Sequence, residues 1–233
     1  MIKQSKGLTV FLAVTVACLI LSASIAVPVL CRPFYYAHIE AFQLEEYLGL
    51  EEKEIRRAYD EMMDFCTGLT DKFSTGILPW SESGRSHFVD VKRLFLMDLA
   101  ALFISAALLA GDLVFRSRRK VQPYRFYGHG PSFWAAAGLG TVFTVIAGLA
   151  AMNFSRAFVI FHTIFFPGKS NWIFDWHTDA IILMLPEEFF RNCAILIVGL
   201  LLVWCVILIA ADLWIGKQLR PRCGEFRANQ TEE

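Results

Sequence analysis

NCAILIVGLLLVWCVILIAA, residues 192–211, runs for twenty positions without a charge, and this stretch decides the class of fold. A hydrocarbon core about 30 Å thick needs roughly 20 helical residues to cross it. Three further stretches meet that requirement. The chain is uncharged from Gly7 to Cys31, and from Tyr127 to Ser155 only His129 interrupts the apolar run. Leu94 to Phe115 carries Asp98 and Asp112 toward its ends. The expectation is an all-α membrane protein with a single membrane domain over residues 1–233. Its four transmembrane helices are expected at about 8–30, 94–115, 131–153 and 192–213.

The distribution of Lys and Arg orients these spans. Lys3 and Lys6 precede the first. Arg116, Arg118, Arg119, Lys120 and Arg125 crowd the loop after the second, and Lys217, Arg220, Arg222 and Arg227 follow the fourth. Positive-inside reasoning makes segments 116–130 and 214–233 cytoplasmic, together with both termini. Segments 32–93 and 154–191 then form a small helical extracytoplasmic domain. The first of them holds eight basic and twelve acidic residues, so chemistry is to be sought there rather than in the short basic loops.

A net charge of zero gives no electrostatic case for nucleic acid, and no phosphate-cradling or base-stacking motif supplies one. The first span is read as a retained anchor, because its uncharged run is longer than the roughly 7–15 residues of a signal-peptide core. Leu30 before Cys31 is not the small residue that a lipidation signal needs. Of six cysteines, Cys18, Cys193 and Cys205 lie in spans. Only Cys31 and Cys66 fall on the outer side, where a disulfide could form. No CxxC pair is present, which argues against a structural zinc site.

Between the first two spans, Ile55, Tyr59, Met62 and Cys66 recur at helical spacing and predict an amphipathic helix that Gly68 ends. Phe34, Tyr35, Tyr36 and Phe42 suit a membrane interface. Ser81–Gly84 reads as a break before the second span. Gly138, Gly140 and Gly148 would let a neighbouring helix approach the third. A continuous helix from Pro131 to Phe166 would be about 54 Å long, so the chain is expected either to continue above the bilayer or to bend near Asn153-Phe154-Ser155. Either way His162 lands near the outer headgroups.

Five histidines separate by placement. His38 and His129 sit among ordinary loop residues and read as solvated. His87 and Asp90 would share a helix face at i, i+3, where the carboxylate could set the imidazole tautomer. Equally, Ser83 or Ser86 could cap a helix there, with Asp90 in its first turns. His162 stands alone in an aromatic stretch, Phe158 to Phe166. It is either a satisfied structural histidine or a base held in a dry pocket. Asp175, His177 and Asp179 alternate, but their spacing matches no zinc signature. Glu187 and Glu188 read as interface charges. No GxSxG elbow occurs, so a serine lipase has no support.

The segments His87-Phe88-Val89-Asp90-Val91-Lys92-Arg93-Leu94-Phe95 and Phe161-His162-Thr163-Ile164-Phe165-Phe166-Pro167-Gly168-Lys169-Ser170-Asn171-Trp172-Ile173-Phe174-Asp175 resemble the bacterial lipoprotein intramolecular transacylase family. Thr178-Asp179-Ala180-Ile181 and Leu185-Pro186-Glu187-Glu188-Phe189-Phe190 extend the likeness. Family members often have Asp where Ser170 stands and Pro where Trp176 stands. The resemblance implies intramolecular acyl transfer on a diacylglyceryl-modified lipoprotein, from the glycerol sn-2 oxygen to the α-amine of its N-terminal cysteine. His162 and His87 would be the catalytic pair. Asp90 would orient a histidine or hold the substrate ammonium, and Lys92, Trp172 and Asp175 are further orienting or substrate-binding candidates. The implied enzyme works in the phospholipid bilayer with no cofactor and no metal. Two other readings compete with it. One is a metal-dependent membrane hydrolase using His87, His162, Asp175 and His177. The other is a non-catalytic partner of an envelope or transport assembly.

Overall fold

The computed structural model describes residues 3–219, so Arg220, Arg222 and Arg227 lie outside the described residues. The chain is mostly helical: α1 (Lys6–Leu30), α2 (Arg32–Ala41), α3 (Leu44–Leu48), α4 (Glu52–Cys66), α5 (Glu82–Arg119), α6 (Pro131–Met152), α7 (Phe154–Phe165) and α8 (Glu187–Leu219), with a 3-10 turn at Ala180–Met184. Four of these, α1, α5, α6 and α8, are long and apolar enough to cross a membrane. At about 1.5 Å per residue, the 38 residues of α5 cannot fit inside a hydrocarbon core about 30 Å thick. Its charged first third, residues 82–93, therefore runs on beyond the apolar stretch.

One departure from an all-helical chain is a two-stranded parallel sheet. In it β1 (Lys3–Ser5) pairs with β2 (Val121–Pro123), Gln4 opposite Gln122. Alternation over three residues is too short to signal a strand in advance.

The chain divides into two compact units. One gathers the residues up to Leu21, Leu102–Val145 and those from Gly199 onward. Its core joins Ile20, Ala136, Leu201 and Cys205, with Phe143 and Leu208 packed against them. Gly140 brings α6 close to α8: a Cβ there would meet Cys205 at 3.6 Å, whereas Gly138 and Gly148 face open space. Of the three glycines expected to admit a neighbour, one does so. In the same unit Asp212 accepts hydrogen bonds from Arg125 at 2.9 Å, from the Gly130 N–H at 3.0 Å and from His129 Nδ1 at 2.8 Å. His129 also stacks on Phe133 at 3.9 Å. It is a half-buried structural group, not the solvated loop residue its sequence neighbours suggested.

The other unit comprises Ser22–Ala101 and Ile146–Val198. Its core is built on α4, where the predicted face Ile55, Tyr59, Met62 and Cys66 is buried along with Ala58, Met63 and Phe65. A reciprocal capping box, Glu51 with Glu54, starts the helix by satisfying two otherwise orphaned N–H donors. Gly68, at φ +81°, follows its end. Tyr35 is fully buried, stacked 3.7 Å from Tyr59, and donates its hydroxyl to the Met184 carbonyl at 3.0 Å. This overturns the interfacial reading of Tyr35: with its hydroxyl satisfied, nothing opposes burying the ring. His38 lies on α2, where Nδ1 donates to the Phe34 carbonyl and Nε2 accepts from Asn192. It too is not solvated. Cys31 and Cys66 are both free thiols.

Candidate active site

α5 begins earlier than the sequence suggests. Ser81 is its cap, with Oγ accepting from the Gly84 N–H at 3.0 Å, so Ser81–Gly84 forms the first turn instead of a break. Neither Ser83 nor Ser86 caps it. The cap is itself held by buried Asp179, which accepts from the Ser81 N–H and the Ser81 hydroxyl, each at 2.8 Å, and from Thr178 Oγ1 at 3.0 Å. A carboxylate at a helix N-terminus also complements the positive end of the helix dipole. These bonds fix the first turn of the helix, one turn before His87.

His162 comes from α7. Asn153, extended at φ −160°, caps that helix by accepting from the Arg156 N–H at 2.9 Å. The bend expected near Asn153 is thus a helix break with its own cap. His162 Nδ1 lies 2.8 Å from the Phe158 carbonyl oxygen. A carbonyl can only accept, so Nδ1 carries the proton and Nε2 of the neutral ring presents a lone pair. Burial pushes the His162 pKa below the usual histidine value, with the Phe158 bond pulling weakly the other way. The ring is therefore neutral, and basic at Nε2, near neutral pH.

The imidazoles of His87 and His162 lie 5.8 Å apart between centroids, tilted by 31°. Aromatic side chains wall both. His87 meets Phe166 edge-on at 4.9 Å and Phe174 at 5.5 Å. His162 lies against Phe158 at 4.2 Å and stacks on Trp172 at 4.6 Å. Both histidines are buried, and among the described residues His87 Nδ1 has no hydrogen-bond partner.

Of the remaining sequence candidates, Asp90 and Trp172 join this cluster. Asp90 does not reach a histidine. Instead it binds Lys169 Nζ at 2.6 Å through both oxygens and accepts from Asn171 Nδ2 at 3.3 Å. The Trp172 ring serves His162, while its indole N–H donates to the Lys169 carbonyl at 3.1 Å. Lys92 points to the preceding loop, bonding the Thr70 carbonyl at 3.0 Å and Asp71 at 3.1 Å. Asp175 shapes a turn, accepting from the His177 N–H at 3.0 Å. Among the described residues no group of three or more His, Cys, Asp or Glu could hold a metal ion. Local reading gave Lys169, Asn171 and Phe174 no role. Their only signal was membership of the same polar–aromatic segments as the histidines.

The fold resembles solved structures of the membrane-integral lipoprotein intramolecular transacylase Lit from Bacillus cereus. One match is 24% identical with a TM-score of 0.78, covering 91% of this chain and 95% of that one. Two forms of the same protein, each with one histidine replaced (by arginine and by alanine), match at 23% identity with TM-scores of 0.73 and 0.74. Each covers 91% of this chain and 92% or 93% of its own. No curated protein matches the chain. The family model described as lipoprotein intramolecular transacylase Lit matches residues 10–190, and this chain, a multi-pass membrane protein, belongs to that family.

Proposed function

We propose that this protein transfers one acyl chain within a diacylglyceryl-modified lipoprotein. The transfer runs from the glycerol sn-2 oxygen to the α-amine of the N-terminal cysteine. The observation that carries the reading is the pair of imidazoles 5.8 Å apart in an aromatic enclosure, one of them with its basic nitrogen defined by a backbone bond.

In the reaction the amine nitrogen attacks the sn-2 ester carbonyl carbon. An N–C bond forms, the C–O bond to glycerol breaks, the proton leaving nitrogen passes to a histidine, and the glycerol oxygen receives a proton. Nothing else is consumed. An α-amine has a reference pKa of about 7.7–8.0 and histidine about 6.5, with burial holding His162 lower still, so the proton passes to the imidazole as the N–C bond forms and the nitrogen loses its basicity. Nucleophile and ester belong to one molecule, and positioning replaces a covalent acyl-enzyme step. His162, through Nε2, is the acid–base group and His87 its partner. Asp90 and Trp172 act on the walls of the site, and Lys92 and Asp175 support its surrounding turns. The enzyme uses no cofactor or metal.

The reaction takes place on the extracytoplasmic side of the bacterial cell membrane, where segments 32–93 and 154–191 form the site. Both termini are cytoplasmic. The support for this orientation is the clustering of Lys and Arg in segments 116–130 and 214–233.

The deciding experiment is mass spectrometry of a lipoprotein's N-terminal peptide from cells with and without this protein. The expected product is an N-acyl cysteine carrying a monoacylglyceryl group, absent when His87 and His162 are both replaced by alanine. An unchanged diacylglyceryl peptide, with the protein folded in the membrane, overturns the reading.

A further inference from the structure

We infer that the Asp90–Lys169 ion pair is a clasp that holds the aromatic walls of the site in place, with Lys169 acting as a positioning residue. The inference rests on the proposed acyl transfer.

The segment after α7, residues 166–174, supplies three of the rings around the two imidazoles: Phe166 and Phe174 against His87, and Trp172 and Phe166 against His162. It has no regular secondary structure apart from turns, and Gly168 takes a left-handed conformation at φ +73°. Such a loop keeps its shape only where other groups fix it. Its internal bonds are few: Phe166 N–H to the His162 carbonyl, Lys169 N–H to the Phe166 carbonyl, Ile173 N–H to the Ser170 carbonyl and the Trp172 indole to the Lys169 carbonyl.

Its polar ties to α5 come from Lys169 and Asn171. Lys169 Nζ lies 2.6 Å from each oxygen of Asp90, and Asn171 Nδ2 reaches Ser86 and Asp90 at 3.3 Å each. Arg93, the other cation near Asp90, is 3.7 Å away and largely exposed. Lys169 is therefore the principal countercharge of a carboxylate whose side chain is only 9% exposed. Asp90 stands one helical turn after His87, so the pair ties the loop to the helix face that carries the histidine. The Lys169 carbonyl holds Trp172 at the same time. One residue thus links the mount of His87 to the ring stacked on His162. Losing the tie frees the loop, and a displacement of about 1 Å in a positioned site costs on the order of a hundredfold in rate.

The test compares full-length protein carrying Asp90→Asn, Lys169→Met, both together, the exchanged pair Asp90→Lys with Lys169→Asp, and Lys169→Arg. Acyl transfer on a diacylglyceryl lipopeptide is measured alongside hydrogen exchange of residues 166–174. A clasp predicts that each single change lowers kcat by at least about tenfold with KM moved less. The double variant should be no worse than Asp90→Asn alone, exchange at 166–174 should rise in all three, and Lys169→Arg should keep most activity. The exchanged pair should recover part of kcat. Independent, multiplying losses, a change confined to KM, or unchanged exchange would each overturn it, since Lys169 would then act on the substrate directly or not at all. Lys169→Arg and the exchange measurement keep the question open to test where a neutral variant folds poorly. If wild-type protein transfers no acyl group yet the variants loosen the loop, the clasp stands and the proposed function falls.

Discussion

Gly84 and Asp179 touch so closely that any side chain at position 84 must displace the Asp179 carboxylate. A Cβ built on Gly84 would lie 2.1 Å from Asp179 Oδ1 and 2.8 Å from its Cγ, with Phe174 Cε1 at 3.1 Å. Gly84→Ala must therefore push the Asp179 carboxylate away from the Ser81 cap, and Phe174 must give by a few tenths of an ångström. The expected outcome is a loss of about 1–3 kcal/mol from overpacking, together with loss of acyl transfer. Thermal unfolding and lipopeptide turnover, measured side by side, check both effects. Full activity in Gly84→Ala would show that the cap does not govern the placement of His87.

The pH dependence follows from His162. Its pKa lies below the ordinary histidine value because burial disfavours the imidazolium. The base form is therefore present at neutral pH, and the His162 limb of kcat should lie below about 6.5, the reference histidine value. It lies beneath the separate limb that protonation of the substrate amine adds near its own reference value of about 7.7–8.0. The sign for stability is the same. Below that value the unfolded state binds the proton more readily, so stability is complete above it and declines as pH falls through the lower folded value. His162→Gln should flatten that decline in unfolding experiments. A decline as steep in His162→Gln as in the parent protein would contradict the assignment.

Tyr35→Phe removes one hydroxyl and leaves the Met184 carbonyl without its donor. In a fully buried setting the expected cost is about 1–3 kcal/mol, read as a lower denaturation midpoint with little change in kcat. No loss of stability would indicate that water or another donor replaces the hydroxyl.

Asp212→Ala deprives Arg125, His129 and the buried Gly130 N–H of a shared acceptor. Breaking such a partly buried network should cost on the order of 3 kcal/mol. Asp212→Asn, which can still accept from some of these donors, should lose less. Equal losses in the two variants would mean that packing rather than hydrogen bonding holds this cluster.

Thiol labelling tests the other unit. Cys66 is buried on α4, and burial pushes its pKa up to about 12, whereas Cys31 is exposed. A maleimide should modify Cys31 in the folded protein and reach Cys66 only after denaturation. Protection of both thiols, reversed by reductant, would reveal a bond between them.

The four spans and the α4 face were legible in the sequence, and a break near Asn153 was one of two ways it offered to accommodate an over-long helix. Each depends on near-neighbour physics: the length of an uncharged run, the 3.6-residue period and a local cap. The two histidines were visible as isolated polar residues, and their motifs carried the family resemblance. Their pairing was decided elsewhere. Bringing α5 and α7 together depends on packing across 75 positions, since His87 and His162 are that far apart in the chain. The same holds for the exchange of partners at Asp90, which meets Lys169 79 positions away rather than the histidine one turn before it. Tyr35, His38 and His129 look like interface or loop residues along the chain. Their roles come from partners 149, 154 and 83 positions distant. Periodicity and charge thus determine which segments are helical and which can enter a membrane. Which polar atoms satisfy one another is a property of the packed fold, because a buried donor or acceptor takes the nearest partner in space, whatever its distance in sequence.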